Sequence, residues 1–349
     1  MSGTSMDGID AALLVTDGDA YLGPGGFGGS AYPEALRRTL LRMPAADVDS
    51  AEVERQVTDL QARAVQDLCT MRGLSLGEVD LVGFHGQTIL HEPEKGRTLQ
   101  LGDGQRMANT LRIPVVTDFR RNDLDHGGQG APLAPAYHRA LVRASALPQP
   151  LAVLNIGGVS NCTLIDGERL YACDCGPGNA LIDDWVSLRC GVNFDEGGRL
   201  AQAGRAHPEV LARLLENPYF RRSGPKSLDR NAFALDPVAA LSAADGAATL
   251  SAFTAAAIAL EAQRLPIRPR QWIVVGGGRH NAHLLGELRA RLGVEVSTAE
   301  DVGWNGDAIE AQAFAYLAVR SVLGLPFSWP QTTGVSSAVS GGVLWQPEG

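Results

Sequence analysis

Apolar and polar positions alternate along this chain in a way that predicts short buried strands taking turns with amphipathic helices. Residues 9–15 form an apolar strand-like run, and a glycine-rich connection follows at 23–29. Helical periodicity covers 34–42 and 52–71. In the second of these, Val53, Val57, Leu60, Ala64 and Leu68 recur at the spacing that lines one face of a helix. Two buried strands are predicted at 81–84 and 114–117, then a helix at 133–144. The proline-bearing stretch 146–150 marks a domain boundary.

The pattern then restarts. A strand at 151–156, a turn and a second strand at 162–165 read as a hairpin. Helices are predicted at 179–188, 208–216, 247–264, 281–291 and 308–322, with a short apolar strand at 272–275 running into three glycines. Strands alternating with helices in both halves predict an α/β protein of two sheets. The expected domains are 1–146 and 151–349, with the C-terminal helix able to return to the first lobe.

Composition narrows the function classes. The chain has 349 residues, 45% hydrophobic and 20% charged, which suits two globular domains. A formal net charge of -9 argues against nucleic-acid binding through a basic face. The five cysteines have no framework-like spacing, and Cys173-Asp174-Cys175 lacks a second pair to complete a zinc site, so reduced thiols are expected. The polar opening MSGTSMDGID is no signal peptide, and the alanine-rich stretch 247–260 reads as a buried helix, so a soluble cytoplasmic protein is expected.

Four segments carry candidate chemistry. In the first, Gly3, Thr4, Ser5, Met6, Asp7, Gly8, Ile9 and Asp10, small residues let main-chain N–H groups cradle phosphate oxygens. Asp7 and Asp10 could hold Mg²⁺ directly or through water. The second, with Gly157, Gly158, Ser160 and Asn161, repeats that chemistry at the end of another apolar strand, which suggests a nucleotide held by two related domains. The third, Gly276, Gly277 and Gly278, joins a strand to a helix, but GGGRHN lacks the last glycine of a dinucleotide fingerprint. The fourth places Asp174 at the edge of a Gly-Pro-Gly turn, ahead of Asp183 and Asp184. Any of these three carboxylates could serve as a general base, and spacing does not choose among them. His280 and His283 read as solvated helix surface.

The chain resembles the anhydro-N-acetylmuramic acid kinases, members of the superfamily of sugar kinases, heat-shock chaperones and actin. The resemblance is carried by MSGTSMDGID at 1–10, FHGQTI at 84–89, TDFRRND at 117–123, GGQGAPLAP at 127–135 and LNIGGVSN at 154–161. CDCGPGNALIDDW at 173–185, GPKS at 224–227, VVGGG at 274–278 and NGDAIEAQAFAYLA at 305–318 continue it, over some nine tenths of the sequence. It implies two ribonuclease H-like domains around a nucleotide cleft. It also implies use of ATP, Mg²⁺ and water to turn 1,6-anhydro-N-acetylmuramic acid, a small sugar from peptidoglycan turnover, into N-acetylmuramic acid 6-phosphate.

The resemblance assigns roles. Asp174 matches the catalytic aspartate and Glu310 an acidic position near the site. His85, Gln87, Asp118, Arg120 and Arg121 would lie near the sugar, with arginine suited to its lactyl carboxylate. Each has a structural alternative, such as a backbone-satisfied histidine or an arginine in a salt bridge. The family also has a short apolar strand before MSGTS. Here Met1 opens the motif, so either the start codon is placed too late, which is the preferred reading, or an apolar sheet edge is left unpaired. A chaperone would need a large further domain, and intact loops with Asp174 argue against a catalytically weak sugar-binding or regulatory relative. No nucleic-acid or membrane partner is expected; a homodimer is compatible with the sequence.

Overall fold

The structure, a computed structural model, describes all residues except Thr4, Ser5, Asp7, 44–48, Arg230 and Asn231. Along the first part of the chain run β1 (Gly8–Thr16), β2 (Tyr21–Ala31), α1 (Glu34–Arg42), α2 (Ser50–Arg72), β3 (Val82–Gly83), β4 (Gln87–Glu92) and β5 (Arg97–Leu101). Next come α3 (Gly104–Leu111), β6 (Val115–Thr117), α4 (Arg121–Asp125) and α5 (Pro135–Ala144). Then follow β7 (Leu151–Ile156), β8 (Val159–Asp166), β9 (Arg169–Pro177), α6 (Ala180–Cys190), α7 (Arg199–Gln202), α8 (Pro208–Leu215) and α9 (Ala243–Ala262). The chain closes with β10 (Gln271–Val275), α10 (Ala282–Leu292), β11 (Glu295–Thr298), α11 (Ile309–Val322) and β12 (Val343–Trp345).

These elements form two compact units, Met1–Ala146 with Ala308–Gly349, and Leu147–Asp307. The expected second domain therefore stops at Asp307, and the whole C-terminal segment, not a helix alone, belongs to the first unit. The reason is packing: α11 lays its apolar residues on β1 and β3, and β12 pairs with β6.

In the first unit β1 and β2 pair antiparallel from Gly8 with Ala31 to Thr16 with Tyr21. The glycine run at 23–29, expected as a connection, is thus a strand. Its small residues fit a crowded place, since a Cβ on Gly25 would collide with Leu13. Helix α2 begins at Asp49, whose carboxylate accepts from the Ala51 and Glu52 amides, and ends at Gly73 in the left-handed region. It buries Val53, Val57, Ala64 and Leu68 with Ile9, Leu36 and Leu40.

A second sheet of the same unit runs β12-β6-β3. Between β1 and residues 81–84 lies a cavity of about 410 Å³. Among the described residues, β1 is paired by β2 on one side. On the other, Met1 exchanges two backbone hydrogen bonds with Asp10, at 2.6 and 2.8 Å.

The second unit has one sheet in the order β11-β10-β7-β8-β9, with β8 antiparallel to both neighbours and β10 parallel to β7 and β11. Counted within the unit this is the 3-2-1-4-5 order of the ribonuclease H-like arrangement. Helix α9 is long and apolar enough to cross a membrane by length and composition, but 67% of its most apolar window is buried. It packs against α6, α7, α8, α10 and β9. Gly246 lets it approach the Trp185 ring, where a Cβ would collide.

Close approach also governs β3. A Cβ on Gly83 would strike the Phe314 carbonyl of α11, which is backbone and cannot swing aside. Gly83→Ala should therefore lose about 1–3 kcal/mol of stability through overpacking, read as a lower Tm. Gly23→Ala, at a strand position where a Cβ meets nothing within 4 Å, should leave Tm unchanged.

Candidate active site

In the second unit three turns converge. The turn between β7 and β8 is tied to the start of α6: the Gly178 and Asn179 amides donate to the Gly158 and Gly157 carbonyls at 2.9 and 2.7 Å. The Asn179 side chain donates to the Ile156 carbonyl at 3.2 Å. The third turn leaves β10 through Gly276, whose φ of 74° is left-handed. A Cβ on Gly276 would strike Asn155, and one on Gly278 would strike Ile156. Packing therefore explains these two glycines. Gly157 and Gly277 differ, since a Cβ there would come no closer than 3.7 and 3.5 Å to any neighbour. At those two positions the bare backbone is open to approach.

Ser160 is fully buried, and its hydroxyl donates to the Gly176 and Pro177 carbonyls at 3.0 and 3.1 Å. A hydroxyl has one proton, so Ser160 ties β8 to the Gly-Pro-Gly segment rather than donating to a phosphate.

Asp174 lies inside β9, not at the edge of a turn as expected, and its cross-strand partner is Asn161. The ladder slips between Ser160 and Asn161, a bulge of the kind that re-aims side chains. Three contacts fix it. Its amide donates to the Lys226 carbonyl at 2.9 Å, its Oδ2 accepts from the Leu228 amide at 2.7 Å, and its carbonyl accepts from the Tyr219 hydroxyl at 2.6 Å. The GPKS segment, which pattern alone left without a role, holds the aspartate. Asp183 is half-buried on α6 and Asp184 exposed.

In the first unit Thr4, Ser5 and Asp7 lie outside the described residues. The rest of their loop is held by Gln87, whose Oε1 accepts from the Ser2 hydroxyl at 2.7 Å while Nε2 donates to the Gly3 and Thr88 carbonyls. Gln87 is fully buried with both amide protons so engaged, and it braces the loop rather than facing a sugar. Met6 and Ile9 bury their side chains in the core and leave only main chain for a ligand; Met6 holds a left-handed φ of 53°. Gly8 lies close to the Ser30 carbonyl of β2. Asp10 is half-buried, as is Glu310 in the first turn of α11. Burial pulls the Met1 amine down to about 6, opposed by both of these carboxylates.

His85 is buried, and burial, with the Arg120 guanidinium beside it, pushes the imidazole well below its usual range. As a neutral ring it donates from Nδ1 to the Gly86 carbonyl at 3.0 Å and accepts at Nε2 from Arg120 at 2.9 Å, a tautomer assigned from its partners. Arg120 also donates to the Gly130 carbonyl at 2.7 Å. Asp118 holds a left-handed φ of 52°, and Arg121 is exposed with a bond to the Thr98 carbonyl. Residue typing missed Asp123. It is buried and accepts from the Gly130 amide and the Thr333 hydroxyl, each at 2.6 Å. Its only signal was its place in TDFRRND.

Comparison with known proteins places this geometry. The sequence profile described as anhydro-N-acetylmuramic acid kinase matches residues 1–347. The chain belongs to the anhydro-N-acetylmuramic acid kinase family. It is similar to that kinase of Methylobacterium nodulans, at 49% identity over 371 residues, covering 99% of this chain and 98% of the relative. To the Rhodospirillum rubrum kinase it is 50% identical over 352 residues, covering 99% and 92%. A solved glucokinase from Streptomyces griseus, in complex with glucose and AMPPNP, aligns at 16% identity and TM-score 0.43, over 90% of this chain and 96% of that one. As a family member the protein is a kinase of the α/β sugar-kinase class.

Two buried histidines make the fold pH-sensitive. Burial lowers His138 from 6.5 to about 4 and lowers His85 in the same direction. Between these values the unfolded chain binds protons that the folded kinase refuses, so stability falls as pH drops from about 6.5 toward about 4. His138 alone should contribute on the order of 3 kcal/mol of that loss. Melting measured across this window checks it, and His138→Leu should flatten the slope.

Proposed function

We infer that this chain converts 1,6-anhydro-N-acetylmuramic acid, ATP and water into N-acetylmuramic acid 6-phosphate and ADP. The observation that carries the mechanism is the fixed carboxylate of Asp174, held mid-strand by the Leu228 amide and paired across the ladder with Asn161 beside the Gly157–Gly158 turn.

Asp174 serves as the general base. It takes a proton from water as the water oxygen bonds to C1 and the bridge C1–O6 bond breaks. The freed O6 takes the γ-phosphoryl group of ATP. One Asp174 oxygen is already oriented by a backbone amide, so the carboxylate needs little reorganisation when it accepts the proton. The backbones at Gly157 and Gly277, open where neighbouring glycines are closed by packing, receive phosphate oxygens. Arg120, aimed by neutral His85, presents a guanidinium to the sugar's carboxylate, with Arg121 and Asp118 nearby in sequence.

Mg²⁺ fits the hard oxygen donors of the first unit. Asp10 and Glu310 both act electrostatically on the Met1 amine, and Asp10 with Asp7 would hold the ion. The ion supplies charge neutralisation on the phosphates. Because ATP is the phosphoryl donor, the reaction belongs in the cytoplasm.

The test is ADP release from purified protein with and without the anhydro sugar, together with product analysis. Sugar-dependent ADP and a 6-phosphate product are expected; sugar-independent ADP release or an unphosphorylated sugar overturns the reading. Asp174→Asn should keep ATP and sugar binding by calorimetry and lose turnover by about 10²-fold or more. Near-normal turnover in that variant would move the role to Asp183 or Asp184.

A further inference from the structure

The segment that holds Asp174 carries one member of a sealed ion pair. Lys226 is 2% exposed, and Glu261, in the last turn of α9, is 1% exposed. The ammonium donates to Glu261 Oε2 at 2.9 Å and to the Arg222 carbonyl at 3.1 Å. Its nitrogen also stands 4.6 Å from the centre of the Tyr219 ring. Arg264 donates to the same Glu261 oxygen at 3.5 Å and to the Phe220 and Arg222 carbonyls. A pair buried this deeply adds little net stability, because both charges lose their water, and apolar side chains of similar volume often pack as well. What it supplies is a fixed place for the backbone that bears it.

That backbone is the one facing Asp174. The Lys226 carbonyl accepts from the Asp174 amide, the Tyr219 hydroxyl under the ammonium donates to the Asp174 carbonyl, and the Leu228 amide donates to Oδ2. Helix α9 also fastens the residues that follow Asp174. The Thr254 hydroxyl donates to the Gly178 carbonyl at 3.0 Å, and a Cβ on Gly176 would strike Ala257. Thr254, Ala257 and Glu261 are spaced to share one face of a helix. A single rigid element thus anchors both the strand end beyond Asp174 and the segment 219–228 that grips it.

We propose that Glu261 and Lys226 are positioning residues for Asp174: their ion pair pins the segment 219–228 to α9, and that segment sets the direction of the Asp174 carboxylate. The inference rests on Asp174 as the general base, and neither charged group is assigned a contact with the reacting atoms. Release of the segment would let the Leu228 amide drift from Oδ2. The carboxylate would then lose its orientation. It would also lose a donor that favours the ionised form, so the base would take up its proton at a higher pH.

The test uses the full-length chain carrying Lys226→Met with Glu261→Gln, which removes both charges together. Lys226→Met alone, which leaves Glu261 its contact with Arg264, decides the matter if the double variant does not fold. In either, kcat for sugar-dependent ADP release should fall by about 10–100-fold with KM for ATP and sugar little changed. The acidic limb of the kcat–pH profile should move to higher pH, and hydrogen exchange at the Asp174 and Leu228 amides should quicken. A lower Tm with kcat and the limb unmoved marks a structural role alone and overturns the inference. A fall in kcat without faster exchange at those two amides overturns it equally. Asp174→Asn in the same assay separates the two readings. Normal turnover in that variant removes the base and this inference with it; an inactive Asp174→Asn beside a fully active Lys226→Met removes this inference alone.

Discussion

The antiparallel pairing of β8 with β9 is the constraint on which the second unit's chemistry rests. It sets Asp174 opposite Asn161, and the register slip beside Ser160 leaves Cys175 as an extra residue of β9 just before the Gly-Pro-Gly segment that leads into α6. A ladder position is held by several backbone hydrogen bonds, each worth about 1 kcal/mol net. Lys226, Leu228 and Tyr219 add three more contacts to the same residue. A carboxylate held this way keeps its orientation without relying on a rotamer alone.

The glycines divide by what a Cβ would meet, and that division separates architecture from chemistry. Gly178, Gly276 and Gly278 sit where a side chain would strike backbone or a neighbouring side chain, so they allow three turns to crowd together. Gly157 and Gly277 border that crowd yet have room beside them. Neither packing nor a left-handed φ requires glycine at these two. The main chain at these two positions is therefore open to approach from outside the chain.

Much of this was legible in the chain. Periodicity located the long helices and the fully apolar strands, because those elements bury a face or both faces and write it as spacing. It misread 23–29, where the strand is made of glycines and the signal lies in what they pack against rather than in their own propensity. It missed the β4–β5 hairpin and α3, whose residues are mixed in character. It carried the second domain to the chain's end, allowing only for the C-terminal helix to return to the first lobe, since nothing local marks that residues after Asp307 pack on β1, β3 and β6. The family resemblance named Asp174, His85 and Arg120, where residue chemistry alone left Asp174, Asp183 and Asp184 open. It did not show that Ser160 and Gln87 are engaged within the chain, because whether a hydroxyl or amide has a partner depends on residues 16 or 85 positions away.

The cysteines show the same limit from the other side. Cys173 and Cys175 alone make a C-x-C that neither closes a disulfide nor completes a metal site. Cys162 stands 11 residues earlier, a spacing with no meaning until β8 and β9 pair in register. Glu261 lies farther along still, on a helix whose apolar run hides it. Only the folded unit brings the three sulfurs of Cys162, Cys173 and Cys175 within 4.8 Å of one another.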